Sequence, residues 1–168
     1  MAEMTGSRAA KVTLPTDEQI LITREFDAPR ELVFKAFTTP ELVERWWHAK
    51  RGEIKSIEID LREGGKWRYV MVAEGDFEVG FHGEYREIVP NERIVYTEVY
   101  EGLPEGMDAE AEAALNTLTF EEADGRTTVT ILVEHRNQEG RDMHIDSGME
   151  DGMQDAFDLL EEVAISLR

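Results

Sequence analysis

The segment Ser147 to Leu167 constrains what the rest of the chain can become. Met149, Met153, Ala156, Phe157, Leu160, Val163, Ala164 and Leu167 recur at three- and four-residue steps. At about 100° per residue this spacing gathers them into one apolar stripe of a helix. Glu150, Asp151, Asp155, Asp158, Glu161 and Glu162 take the opposite side, and Ile165 alone breaks the segregation. Ser147 followed by Glu150 reads as a capping box, and the acidic residues after it suit the positive end of the helix dipole. Roughly twenty residues at 1.5 Å rise give a rod of about 30 Å, long enough to cross a small domain. Such a stripe needs a concave apolar surface to lie in.

The stretch upstream supplies it. From Glu53 the apolar period becomes two: Ile57, Ile59 and Leu61 alternate with polar residues, then Gly64-Gly65 turns the chain. Trp67, Tyr69, Met71 and Ala73 form one face of the next strand, and Phe77, Val79, Phe81, Gly83 and Tyr85 line a longer one after the Gly75-Asp76 turn. Gly80 and Gly83 read as bulges that bend this strand. After Pro90-Asn91, Ile94, Tyr96 and Glu98 face one way. Leu118 and Phe120 share a face of a later strand, Asp124-Gly125 marks a hairpin, and Val129, Ile131, Val133 and His135 share the face that follows.

Ahead of this run, Ile20, Ile22 and Arg24 alternate with Leu21, Thr23 and Glu25 up to Phe26, which predicts a first strand. Two short helices follow, one from Asp27 and Pro29 with Leu32, Val33, Ala36 and Phe37 inward, and one from Thr39-Pro40 ending at Trp46-Trp47. Glu101 to Ala114 reads as an exposed acidic loop and Asn137 to Ile145 as a polar loop. Strands in sequence with helices outside them predict an α+β domain: a curved antiparallel sheet of about six to seven strands closed by the C-terminal helix. The expected layout is a mobile tail over 1–17 and one domain over 18–168.

Composition narrows the function classes. The chain of 168 residues carries 18 Lys+Arg against 37 Asp+Glu, a net charge of -19, which disfavours nucleic acid and anionic membranes as partners. Absence of cysteine excludes disulfides and thiolate chemistry. No apolar run suggests a membrane span, so a cytoplasmic location is the expectation. An acidic surface poor in lysine fits either a salty habitat or an ordinary acidic protein.

Several motifs in order carry a resemblance: Phe26-Asp27-Ala28-Pro29 leading a helix, Trp46-Trp47 ending the next, and Gly64-Gly65 before an aromatic strand. Gly83-Glu84-Tyr85-Arg86-Glu87-Ile88 before Pro90, and Gly148-Met149 opening the terminal helix, complete the set. From about Ile20 to Leu167 the chain resembles homologues of the activator of the ninety-kilodalton heat-shock-protein ATPase, within the START-like (SRPBCC) superfamily. The resemblance implies a helix-grip fold, often with an apolar cavity between sheet and helix, and a link to the stress response. Gly152-Met153 departs from many relatives, which carry a Trp there, so the volume at the cavity mouth should differ.

The residues expected to face that helix are Trp47, Trp67, Tyr69, Met71, Phe77, Phe81, Tyr85, Tyr96, Glu98, Phe120 and His135 from the sheet side, with Met149, Met153 and Phe157 on the helix itself. In the plainest reading they fill a core. As a functional set they line a pocket for a small hydrophobic or aromatic ligand, with small Ala156 and Ala164 leaving room and flexible Met149 and Met153 near the opening. Glu98 and His135 are the inward candidates for acid–base chemistry of the polyketide cyclase or hydrolase kind known among START-like proteins. Otherwise no catalytic residue, cofactor or metal is implied. His82 should face solvent, and His144 with Asp142 and Asp146 lacks the further ligands of a metal site. A protein partner such as a chaperone, docked on the acidic loop or the polar helix face, is the remaining alternative.

Overall fold

The computed structural model describes residues 9–103 and 105–168, and the reading of a mobile tail over 1–8 lies outside them. The described elements run β1 (Lys11–Thr13), β2 (Gln19–Phe26), α1 (Arg30–Thr38), α2 (Pro40–Val43), β3 (Gly52–Ile59), β4 (Lys66–Ala73) and β5 (Phe77–Val89). They continue with β6 (Arg93–Tyr100), β7 (Ala114–Ala123), β8 (Arg126–Glu134), α3 (Gln138–Asp146) and α4 (Met149–Ser166). All eight strands form one antiparallel sheet in the order β1-β2-β8-β7-β6-β5-β4-β3. The strand beyond the predicted number is β1, which lies in the stretch read as tail and pairs Lys11 with Thr23.

The α+β helix-grip architecture stands. Hairpin turns follow the chemistry of their residues: Asp124 and Gly125, and Gly75 and Asp76, all take positive φ, the twist a two-residue antiparallel turn requires. Because β2 pairs with β8 while β3 sits at the far edge, α1 and α2 carry the chain from one side of the sheet to the other. Helix α4 lies in the concavity, burying Ala156, Phe157, Leu160, Val163 and Ala164, while Ile165 is exposed as its place in the sequence predicts.

Two features at the start of α4 correct the sequence reading. The residues 137–145 are not a loop: α3 forms there, capped by Asn137, whose side-chain oxygen accepts from Gly140 N at 2.8 Å. Ser147 then belongs to the end of α3, its hydroxyl donating to His144 O, and Gly148 at φ 84 takes the N-cap position of α4 without a side-chain cap. The expected capping box is absent because the two helices abut.

The bulge in β5 also falls elsewhere. Gly80 and Gly83 keep regular pairing with β4, whereas the register against β6 shifts between Tyr85 and Glu87. Gly83 has a different cause: a Cβ there would lie 1.8 Å from Thr97 O and 2.6 Å from Trp67 Nε1. Its bare backbone admits the hydrogen bond from Trp67 Nε1 to Thr97 O at 3.1 Å.

Arg24 is the other surprise. On the apolar face of β2 it is 1% exposed, stacked 4.8 Å from the Phe26 ring centroid. Its guanidinium binds Asp158 at 3.2 Å and Glu161 at 3.3 Å, and Glu161 also accepts from Asp27 N. Residues on the polar side of α4 thus lock the helix to the sheet edge.

Candidate functional site

Sheet and helix do not close on each other completely. Between them lies a cavity of about 340 Å³ whose wall is contributed by β2, β4, β5, β6, β7, β8, α1, α3, α4 and the segment after α2. Strand alternation aims the wall. In β4, Trp67, Tyr69 and Met71 point the same way, and Phe81 and Tyr85 of β5 and Tyr96 and Glu98 of β6 join them across the ladder. From α4, the helical period brings in Met149, Met153, Ala156 and Phe157.

The rings form a continuous array. Trp67 stands 4.8 Å from Tyr69 and 5.4 Å from Tyr96, centroid to centroid, and Trp47 lies 5.4 Å from Tyr69 and 5.9 Å from Phe81. Most meet edge to face, the geometry their quadrupoles prefer. Small Gly152 and Ala156 on α4 leave space opposite them.

Of the residues singled out from sequence, Trp47, Trp67, Tyr69, Met71, Phe81, Tyr85, Tyr96, Glu98, Met149, Met153 and Phe157 line the cavity. Phe120 and His135 do not. Phe120 packs 5.4 Å from Phe34 and 5.7 Å from Phe37, because α1 fills that end of the concavity. His135 follows the last residue of β8, where the chain leaves the sheet, and its Nε2 lies 3.0 Å from Nδ1 of His144. Burial and the neighbouring His144 push the His135 pKa down to about 4. His144, read as a loop residue, reaches the cavity wall instead, as does His48. Phe77, also expected inward, is 59% exposed at the start of β5.

The sequence reading missed other parts of the wall, among them Phe37 and Thr38 of α1, Trp46, His48, Ala49 and Arg51 after α2, Asn116 of β7 and His144 of α3. Asn116 was legible in principle, since it shares the parity of Leu118 and Phe120 on β7. Arg51 reaches solvent and binds Asp155 of α4 at 2.7 Å, tying the segment after α2 to the helix beside the opening. His82 lies on the outer face, 2.7 Å from Glu101, and Glu101 is also held by Arg68. That pairing draws the Glu101 carboxyl down to about 2.

Among the described residues, Glu98 is the one carboxyl group in the cavity wall. Glu98 Oε1 accepts from Asn116 Nδ2 at 3.0 Å, and burial raises its pKa while that hydrogen bond acts in the opposite direction. Burial likewise raises the phenols of Tyr69, Tyr85 and Tyr96 above their ordinary value. These groups can bind and orient. Glu98 and His135, the two groups considered for acid–base work, are not brought together.

The family model described as Activator of Hsp90 ATPase homolog 1-like protein matches residues 27–164. A human protein, Activator of 90 kDa heat shock protein ATPase homolog 1, is 32% identical over 123 residues, which cover 73% of this chain and 31% of that protein. The chain therefore matches about a third of its curated relative's length. Among solved structures, a Rhodobacter sphaeroides protein aligns with TM-score 0.83 at 22% identity, covering 94% of this chain and 99% of that one. A Mycobacterium smegmatis protein aligns with TM-score 0.80 at 21% identity, covering 91% and 94%. At that identity both likenesses concern the fold alone.

Proposed function

The chain belongs to the Activator of Hsp90 ATPase homolog 1-like family, and from this premise we propose that it binds a small apolar or aromatic molecule between its sheet and its C-terminal helix. The observation that carries the reading is the cavity of about 340 Å³, walled by Trp47, Trp67, Tyr69, Phe81 and Tyr96 and bordered by Met149 and Met153. Its volume falls in the usual range for small-molecule sites, and its mostly apolar wall with a few polar groups is their usual composition. Native mass spectrometry of the protein purified from its own host tests this. A co-purifying lipophile of a few hundred daltons supports it, and bare polypeptide even after incubation with lipid and aromatic mixtures counts against it.

A second reading rests on the human relative, whose name describes activation of a chaperone ATPase. This chain would then dock on a chaperone through its acidic surface. Stimulation of a bacterial chaperone's ATPase rate by the purified chain would favour this reading, and an unchanged rate favours the small-molecule one. No helix among the described residues is long and apolar enough to cross a membrane.

A further inference from the structure

We propose that the ligand is a compact aromatic amine whose protonated nitrogen pairs with Glu98 inside the ring array. The inference rests on the small-molecule reading above and names the chemical class that the same cavity takes.

Glu98 is a carboxyl group on an otherwise largely apolar wall. Its one hydrogen bond among the described residues comes from the neutral amide of Asn116, and no cation among them pairs with it. Ionising a desolvated carboxylate without a counter-charge is costly, and the raised pKa of Glu98 expresses that cost. A cation delivered by the ligand removes it. The rings nearby suit the same guest: the Trp67 centroid stands 4.8 Å from that of Tyr69 and 5.4 Å from that of Tyr96, and Tyr69 and Tyr96 both sense the charge of Glu98. Aromatic faces grouped beside a carboxylate are the chemistry that recognises an ammonium group.

The hydroxyls complete the match. Tyr69, Tyr85 and Tyr96 make no hydrogen bond within the described residues, and burial keeps them as neutral phenols whose oxygens accept from N–H donors. At the rim of the cavity, Arg51 pairs with Asp155 at 2.7 Å, which offsets its positive charge. A net charge of -19 raises the local concentration of cations around the whole molecule. The volume of about 340 Å³ limits the guest to one or two fused rings with a short arm.

Three matched probes test the class: naphthylethylamine, naphthylethanol and naphthylacetate, each titrated calorimetrically into the full chain at neutral pH. The proposal expects the amine to bind at least about tenfold more tightly than the alcohol, with the acid weakest. In Glu98→Gln, whose fold is checked by circular dichroism, the amine-to-alcohol ratio should fall to about one. Alcohol binding equal to or tighter than amine binding overturns the amine assignment and leaves the ligand-binding reading standing. An unchanged ratio in Glu98→Gln does the same. Binding of none of the three overturns both.

Discussion

Glu98 and His135 are ionisable groups whose burial tilts stability in opposite directions with pH. The Glu98 carboxyl holds its proton more tightly in the folded chain, so its contribution is present below the unfolded value of 4.5 and lost as pH rises through the raised folded value. Glu98→Gln should therefore melt higher than the wild type at neutral pH, and equal melting temperatures would contradict the burial. His135 works the other way. Its folded pKa of about 4 against an ordinary 6.5 means that stability is lost as pH falls through that window. His135→Gln should flatten the slope of melting temperature there, and an unaltered slope would remove the assignment. Strand parity made Trp67, Tyr69, Tyr96 and Glu98 legible in the sequence. Parity also pointed to His135, but that rule ends with β8 at Glu134, and only the helix that follows decides where the ring goes.

Helix α4 was readable because its stripe is long and regular, whereas α3 was not. The one buried residue of α3 is Arg141, whose guanidinium binds Thr16 O at 2.8 Å and Asp142. A helix without an apolar stripe gives periodicity nothing to detect. The same contrast separates two substitutions on α4. Leu160 is fully buried, so Leu160→Ala should cost about 2–5 kcal/mol in denaturant unfolding. Met153 borders the cavity and is only half-buried, so Met153→Ala should cost less than about 1 kcal/mol. Equal costs would mean that the space beside Met153 is filled as densely as the core. In β5, Gly83→Ala forces a methyl group against Thr97 O and should destabilise by about 3 kcal/mol or more. A neutral result would show that Trp67 and β6 yield more easily than the hydrogen bond between them suggests.

Across the whole molecule, charge and cavity set the behaviour. The overall fold was legible from alternating strands, hairpin turns and one amphipathic helix, while β1 escaped because three residues carry no detectable period. With a net charge of -19, self-repulsion opposes compactness, and exposed pairs such as Lys55–Glu78 and Arg93–Glu87 each return only about 0–1 kcal/mol. Melting temperature should rise between about 0.01 M and 1 M salt, as the Debye length shrinks from about 30 Å to 3 Å. A fall would show that surface pairs outweigh repulsion. The central claim is that an aromatic guest lodges between sheet and helix, and isotope-filtered nuclear Overhauser spectra of the chain with a naphthyl probe test it most directly. The account predicts contacts from probe protons to the Met149 and Met153 methyls and to the rings of Trp67, Tyr69 and Tyr96. Contacts confined to surface residues such as Phe77, or none at all, would contradict it.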